Sequence, residues 1–275
     1  MKIIISHDVD HLTAWEHNRD LLIPKHVIRN IVEFVSGRIG FSEVMDRSGD
    51  IFKNKWQNLE SLSEFNSEHN IPSTFFFGVS NGLGLNYTFE NAAFWIKEIC
   101  EKGFDVGVHG IAFQDFANIK KEHDLFKAVS GLDGFGIRMH YLRSNEKTPE
   151  MLDRAGYAFD SSLYKLDNPF RIGGLWEFPL HIMDGYVICR QSKWQNQDLN
   201  QCKDTAQEIL EAAFDRGIQY FTILFHDRYF TDSFRTWKEW YIWLIQYLKN
   251  NGFKFVNYRQ AIEELEIPIY ANATE

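Results

Sequence analysis

Short apolar runs alternate along the chain with longer stretches of helical periodicity. Eight of these runs are predicted as strands, at residues 2–6, 74–79, 104–109, 134–139, 158–161, 175–180, 220–226 and 254–257. Several are apolar on both faces, which is typical of strands covered by helices. A repeated alternation of strand and helix predicts a parallel α/β barrel of the TIM type or a near relative.

Helices are predicted at residues 56–69, 89–102 and 234–251, and another begins with Thr148 as its N-cap. The second and third of these stretches are followed by glycine, a common helix stop, and Pro149 suits the first turn of a helix. Residues 12–54 are long for one connection and predict an inserted helical excursion. Since no Pro/Gly-rich linker divides the chain, we expect residues 1–275 to form a single domain.

Composition narrows the class of protein. The 275 residues are 44% hydrophobic and 24% charged, which is ordinary for a globular chain. The net charge is −9 with scattered cations, so a nucleic-acid partner is not expected. No apolar run approaches the ~20 residues of a membrane span. The first apolar run stops after three isoleucines, and the three cysteines are widely spaced, so we expect a cytoplasmic protein without a disulfide framework.

Polar residues that suit catalysis lie where several predicted strands end. They are Asp8 and Asp10 after the first strand, His109 at the end of the third, Arg138 near the end of the fourth and His226 at the end of the seventh. The carboxyl ends of barrel strands meet at one mouth, where active sites of this architecture lie. Asp160 and Asp227 fall there too. Either suits the orientation of a histidine, but we favour a turn residue for Asp160 and a surface charge for Asp227.

The chemistry of these side chains allows more than one interpretation. Two carboxylates two residues apart, Asp8 and Asp10, suit a site in which one binds a cation and the other accepts a proton, but they also suit a solvated turn. His109 suits either a second metal ligand or a hydrogen-bonded structural residue. His226 suits a general acid, and Arg138 suits the orientation of a carboxylate or of an anionic group.

Taken in order, these segments resemble the NodB-type polysaccharide deacetylases of carbohydrate esterase family four. The segment Ser6-His7-Asp8-Val9-Asp10-His11 is similar to the family's first motif, and Arg138-Met139-His140-Tyr141 to its arginine-x-proline-tyrosine motif. The runs at residues 156–162, 176–179 and 223–226 resemble the fifth strand, the aromatic wall of the sugar groove and the terminal histidine motif. The resemblance implies a distorted (β/α)7-type barrel.

The same resemblance implies roles for individual residues. Asp8 would be the catalytic base, steadied by Arg138, and His226 would protonate the departing amine. Asp10 and His109 would bind a divalent metal, zinc being the expected ion. Tyr141 and Trp176 would contact the substrate. The implied substrate is an N-acetylated saccharide or its activated precursor, as in surface-polysaccharide synthesis.

One position departs from the family pattern. Phe113 stands where the family has the second histidine of a pair separated by three residues, so one expected ligand is missing. His140 and His11 are candidates for the third ligand, ahead of His181. Two alternatives to a metal-dependent deacetylase therefore stay open: a metal-independent hydrolase of another amide, and a catalytically inactive barrel that binds saccharides.

Overall fold

A curled sheet of ten strands lies at the centre of the protein in the computed structural model, which describes residues 1–267. The strands are β1 (Lys2–Val9), β2 (Thr74–Phe77), β3 (Asp105–Gly110), β4 (Gly136–Met139), β5 (Phe159–Asp160), β6 (Phe170–Ile172), β7 (Leu175–Glu177), β8 (Ile182–Met183), β9 (Tyr220–Leu224) and β10 (Lys254–Phe255). Their order across the sheet is β6-β7-β5-β4-β3-β2-β1-β9-β8, and β10 also pairs with β1. The ladders are parallel except that between β6 and β7.

Ten helices surround this sheet in the described residues. They are α1 (Leu22–Val35), α2 (Phe41–Phe52), α3 (Leu59–Glu68), α4 (Phe89–Glu101), α5 (Phe116–Ser130), α6 (Thr148–Ala155), α7 (Asp184–Ile188), α8 (Leu199–Asp215), α9 (Arg235–Asn250) and α10 (Tyr258–Glu266). None of the helices in residues 1–267 combines the length and the apolar content that crossing a membrane requires. The predicted α/β class and distorted barrel are confirmed.

Both faces of the central strands are buried, which explains their unbroken apolar runs. Ile3, Ile5 and Phe75 face outward and join the large cluster beneath the helices. Ile4 and Phe76 face inward and join a second cluster inside the curl of the sheet. This arrangement matches parallel strands covered on both sides, whose side chains alternate between two apolar layers.

The alternation along β1 also sets the position of its polar residues. Ile4 and Ser6 point into the curl, so Asp8 and Asp10 follow on the same side at the mouth. The prediction ended this strand at residue 6, whereas β1 continues to Val9 because its outward residues remain buried. Asp8 therefore lies within the strand rather than after it.

Two strands were missed by the sequence analysis, and one predicted helix cap was wrong. The strands β6 and β8 were not predicted, because two- and three-residue strands carry no periodic pattern. Helix α6 begins at Thr148 itself, and its N-cap is Lys147. The Thr148 hydroxyl instead accepts a hydrogen bond from the Asn145 backbone N–H and donates one to the Phe113 carbonyl.

Candidate active site

A cavity of about 240 Å³ opens at the carboxyl ends of the central strands. It is lined by Asp8, Asp10, His109, Met139, His140, Tyr141, Leu142, Met183, Tyr186, Leu224 and His226. These residues come from the ends of β1, β3, β4, β8 and β9 and from the loops that follow them. Since parallel neighbours deliver their carboxyl ends to one edge, residues about 100 positions apart in sequence meet here.

Three side chains on one wall of the cavity direct a potential ligand atom at a common point. The Nε2 of His109 lies 3.1 Å from Oδ1 of Asp10 and 2.9 Å from Nδ1 of His140. The Nδ1 of His140 lies 3.3 Å from the same Asp10 oxygen. Both imidazoles are buried, and Asp10 is half-buried.

The outer nitrogens of the two histidines fix their orientation. The Nδ1 of His109 lies 3.0 Å from the Arg138 carbonyl, and the Nε2 of His140 lies 3.2 Å from the Leu83 carbonyl. A carbonyl can only accept a hydrogen bond, so each outer nitrogen carries a proton and the other nitrogen of each ring faces Asp10. Two ring nitrogens and a carboxylate oxygen then face one another, and a proton or a metal ion among them would stabilise this arrangement.

The pKa values of these groups reflect that requirement. Burial alone would raise the pKa of the Asp10 carboxyl, but hydrogen bonds to His109 and His140 hold it well below its ordinary value. Burial would likewise lower the pKa of His140, but its hydrogen bond and attraction to Asp10 raise it. The donor set of two imidazoles and one carboxylate is one that Zn²⁺ accepts in catalytic sites, so the residues present fit a divalent transition metal.

The second carboxylate, Asp8, is fixed by a fully buried arginine. The Nη1 of Arg138 lies 3.1 Å from Oδ1 of Asp8 and also donates to the Ser6 hydroxyl at 2.8 Å. The other nitrogens of the guanidinium donate to Ser161 and to the hydroxyl of Tyr258. Because buried groups accept hydrogen bonds from all the guanidinium nitrogens, Arg138 is itself fixed and holds the Asp8 carboxylate in one orientation.

On the opposite wall, His226 is paired with a carboxylate that the sequence analysis did not identify. The Nδ1 of His226 lies 2.8 Å from Oδ1 of Asp184, and its backbone N–H donates to Oδ2 of Asp184 at 2.8 Å. Burial lowers the pKa of this histidine, but attraction to Asp184 outweighs it and raises the pKa well above the ordinary value. Its Nε2 faces the cavity, 3.6 Å from Oδ2 of Asp10.

Neither of the two aspartates considered for that orienting role performs it. Asp160 bonds to the Ser162 hydroxyl and lies beside Glu177. Asp227 is fully buried, so the expectation of a surface charge was wrong, and its Oδ2 accepts from the Asn58 backbone N–H at 3.1 Å. The only sequence signal for Asp184 is its place after the two-residue strand β8.

Of the three candidates for the third ligand, only His140 adjoins Asp10 and His109. His181 bonds to Thr222 and to the Asp167 carbonyl, away from the cavity. The Nδ1 of His11 lies 2.9 Å from Nε2 of His17. Phe113, at the position of the missing histidine, packs against the core, and the guanidinium carbon of Arg143 lies 4.7 Å from its ring centre.

The two residues predicted to contact substrate are placed differently. Tyr141 lines the cavity, is 69% exposed and has a φ of 58°, a left-handed conformation that is strained for tyrosine. Trp176 is not at the mouth. Its indole N–H donates to Glu266 at 3.3 Å, and its ring packs against the inner cluster, so the expectation of an aromatic wall there was wrong. Tyr186, after β8, is the second exposed aromatic side chain at the cavity.

A second group with metal-ligand atoms, His11, Glu16 and His17, lies between β1 and α1. The two oxygens of Glu16 already accept hydrogen bonds from the backbone N–H groups of Leu12 and Thr13, each at 3.0 Å. The carboxylate therefore serves to cap this turn, and the group needs no ion.

A larger cavity, of about 380 Å³, lies at the opposite end of the strands. Its walls are mainly apolar, and its charged side chains include Asp105 and Arg259, whose side chains lie 3.5 Å apart. Because His109, His140 and His226 line the smaller cavity at the other end, that cavity is the candidate active site.

Comparison with known proteins adds evidence on the fold. No protein-family profile matches the chain, and no curated protein sequence matches it. A solved structure from Mycobacterium smegmatis, assigned as a polysaccharide deacetylase, superposes with a TM-score of 0.65 at 18% identity, covering 96% of this chain and 89% of that one. A structure from Pseudomonas aeruginosa PAO1 with the same assignment gives 0.60 at 12% identity, covering 96% and 89%.

A third solved structure, the PuuE allantoinase, gives a TM-score of 0.57 at 10% identity, covering 94% of this chain and 87% of that one. All three identities are too low to carry a function across, but the coverage includes nearly every described element. The chain therefore has the curled α/β barrel fold that these structures assigned as polysaccharide deacetylases share.

Proposed function

We propose that this protein is a metal-dependent hydrolase that removes an N-acetyl group from a saccharide or saccharide precursor. The observation that carries the proposal is the meeting of Asp10, His109 and His140 within 3.3 Å of one another. These ligand atoms lie between Asp8, which is hydrogen-bonded to Arg138, and His226, which is hydrogen-bonded to Asp184. The likeness of the fold to structures assigned as polysaccharide deacetylases supports the same conclusion.

The three residues Asp10, His109 and His140 would hold the metal, and zinc suits their donor atoms. When bound, the ion supplies a Lewis acid that polarises the acetyl carbonyl and makes a water molecule more acidic. Each histidine is oriented for this task by its hydrogen bond to a backbone carbonyl, which fixes the tautomer.

Asp8 is the proton acceptor in this proposal. Its Oδ1 is occupied by Arg138, and its Oδ2 lies on the side of His109, at 3.8 Å from Nδ1 of that ring. A carboxylate whose one oxygen is fixed can accept a proton from the attacking water at the other without rotating away. Arg138 does not touch substrate and acts as a positioning residue.

His226 is the proton donor. Asp184 holds its Nδ1 and stabilises the imidazolium, so Nε2 carries a proton that faces the cavity. Transfer of this proton to the nitrogen of the breaking amide bond allows the sugar amine to leave, while the acetyl carbon keeps the oxygen that came from water. Acetate and a free amine are the products.

The test combines metal content with product release. Wild type, Asp10→Ala, His140→Ala and the control His11→Ala are loaded with zinc, desalted and analysed by elemental mass spectrometry. We expect close to one zinc in wild type and His11→Ala, and affinity reduced about 100-fold or more in the other two. Acetate release is then measured on N-acetylglucosamine oligomers and on nucleotide-linked N-acetylglucosamine.

Two further results discriminate between functions. Asp8→Asn should keep the zinc but lose acetate release by about 10²–10⁴-fold. No zinc in loaded wild type, or full zinc in His140→Ala, would overturn the metal centre. Zinc without acetate release from any saccharide would favour the second candidate, hydrolysis of a non-sugar amide. The fold similarity to the PuuE allantoinase favours that candidate, so allantoin belongs in the substrate panel.

A further inference from the structure

The first two helices, α1 and α2, bury polar side chains and expose apolar ones. Eleven of the twenty exposed large apolar side chains in the described residues lie between Trp15 and Phe52. The buried positions of α1 are His26, Asn30 and Glu33, and those of α2 are Glu43 and Arg47. An ordinary surface helix buries its apolar stripe and exposes its polar one.

The polar faces of the two helices are joined to the barrel by charged contacts. Arg47 bonds to Glu33, to Glu43 and to the Ser233 carbonyl, all within 2.8 Å. Arg29 bonds to Glu33 at 2.8 Å and to the Tyr229 hydroxyl at 3.2 Å. These contacts fix the helices with their apolar faces outward, so the exposure belongs to the native packing.

The exposed apolar side chains form one surface, which we call the hairpin face. It consists of Val27, Ile28, Ile31, Val32, Phe34 and Val35 on α1 and of Phe41, Met45 and Phe52 on α2. The rings of Phe34 and Phe41 lie 6.4 Å apart, so the two helices present their apolar residues side by side. Contiguous exposed apolar patches on this scale mark an interaction site.

Most of the exposed charged residues in the segment that carries the hairpin face are cations. Five cations are exposed between residues 15 and 55, namely Arg19, Lys25, Arg38, Lys53 and Lys55, and one anion is exposed, Asp46; Lys55 also pairs with the exposed Glu60 at 3.8 Å. The chain as a whole carries a net charge of −9, so this cationic border is local. The hairpin face thus combines apolar side chains, an exposed tryptophan nearby and a border of lysine and arginine, as interfacial amphipathic helices do.

We propose that the hairpin face docks on the surface of an anionic phospholipid bilayer, with the apolar side chains in the headgroup region and the cations on the lipid phosphates. A second copy of the chain fits less well. A two-fold dimer would pair the patch with itself and set one cationic border against the other. An anionic bilayer instead neutralises each cation, at roughly 1 kcal/mol apiece.

Docking would hold the candidate active site near the membrane. Arg29 of α1 contacts Tyr229, and the Tyr229 ring centre lies 6.1 Å from that of His226. The hairpin therefore packs on the loop that follows β9, beside the cavity. The docking proposal rests on the hairpin face alone and holds or fails independently of the deacetylase proposal.

The test is flotation of the purified chain with vesicles of phosphatidylcholine, alone or with 30 mole per cent phosphatidylglycerol. We expect wild type to float with the anionic vesicles and to be released as salt is raised from 25 to 300 mM. Ile31→Asp/Phe41→Asp should weaken the partition coefficient at least tenfold. Lys25→Gln/Lys53→Gln should weaken it roughly 30-fold. Phe214→Asp, at an equally exposed phenylalanine of α8, is the matched control and should float like wild type.

Three results would overturn the proposal. The first is a wild type that does not float with anionic vesicles at 25 mM salt. The second is unchanged flotation of Ile31→Asp/Phe41→Asp, provided that its circular dichroism matches wild type. The third is a wild-type dimer in light scattering that this double variant abolishes and that does not bind vesicles, which would assign the hairpin face to a second copy.

Discussion

Removal of Arg47 tests whether buried ion pairs and hydrogen bonds hold helices α1 and α2 to the barrel. Its side chain is fully buried, and its nitrogens lie 2.5 Å from Glu33, 2.8 Å from Glu43 and 2.6 Å from the Ser233 carbonyl. Its guanidinium carbon also lies 4.1 Å from the ring centre of Phe234. Arg47→Met keeps much of the volume of the side chain but removes the charge and the donors.

The loss of stability in Arg47→Met follows from the contacts that Glu33 and Glu43 keep without the arginine. Glu33 retains Arg29 and the backbone N–H of Gln195, each at 2.8 Å, so its charge stays compensated. Glu43, 6% exposed, loses its ion pair. Burial already raises the pKa of Glu43 in spite of Arg47, so loss of the arginine should raise it further and favour the protonated form. Breaking one side of a buried pair of this kind costs about 3–5 kcal/mol.

The assay is hydrogen exchange of α1 and α2 followed by mass spectrometry, together with urea unfolding monitored by tryptophan fluorescence. We expect Arg47→Met to lose protection across both helices, either locally or with the whole domain. The matched variant Glu43→Gln/Arg47→Met removes the stranded carboxyl and should recover about 1–2 kcal/mol of the loss. A cost below about 1 kcal/mol for Arg47→Met, or no recovery in the double variant, would refute the view that this ion network anchors the hairpin.

Three more predictions concern the barrel and its site. Asp184→Asn should lower turnover about 10²–10⁴-fold with zinc content unchanged, because His226 loses the charge that stabilises its imidazolium; unaltered turnover would remove Asp184 from the mechanism. Burial raises the pKa of Glu122 from its ordinary 4.5 to about 7, so its protonated form is favoured by the fold. Wild type should therefore lose stability as pH rises from 4.5 to 7, by up to about 1 kcal/mol per pH unit, relative to Glu122→Gln in urea unfolding at each pH; parallel curves would contradict this. Gly107→Ala should cost about 1–3 kcal/mol of stability, because a Cβ there would lie 2.6 Å from the Phe76 ring and 2.8 Å from a backbone carbonyl. Gly134→Ala, where a Cβ would have nothing within 4 Å, is the control and should be nearly neutral in thermal unfolding.

Much of the barrel could be predicted because its strands are buried on both faces. Unbroken apolar runs such as residues 75–77 leave few alternatives, and the histidines that end the third and seventh predicted strands reach the mouth. His109 and His226 could be placed by this reasoning alone. Asp184 could not be placed in this way, because β8 has only two residues and the residues around it show no regular alternation of apolar and polar positions.

The placement of Trp176 shows where position along a strand misleads. Leu175 and Glu177 of β7 are buried, while Trp176 lies between them and pairs across the ladder with Phe159. Its indole N–H bonds to Glu266 near the end of α10. An aromatic residue in a strand therefore does not by itself indicate a place at the cavity. The position of Trp176 depends on its contact with Glu266 of α10, 90 residues later in the chain.

The sheet register explains why His140 lies beside His109. In the ladder between β3 and β4, His109 pairs with Arg138 and Gly110 with Met139. His140, which follows Met139, therefore lies two residues beyond Arg138, the ladder partner of His109, and neighbouring strands are only about 4.8 Å apart. An imidazole at that position reaches the ring of His109 directly, and its Nδ1 lies 2.9 Å from Nε2 of His109.

The backbone directly after His140 is arranged to permit this. Tyr141 and Leu142 both have positive φ, at 58° and 52°, so the chain turns sharply away as soon as the imidazole has been delivered. Non-glycine residues hold this conformation at a cost of about 1–3 kcal/mol each, and such strain is concentrated at functional sites. Phe113 packs against the core, with the guanidinium carbon of Arg143 4.7 Å from its ring centre. The sharp turn after His140 and its place beside Asp10 and His109 therefore support our proposal that His140 is the third metal ligand.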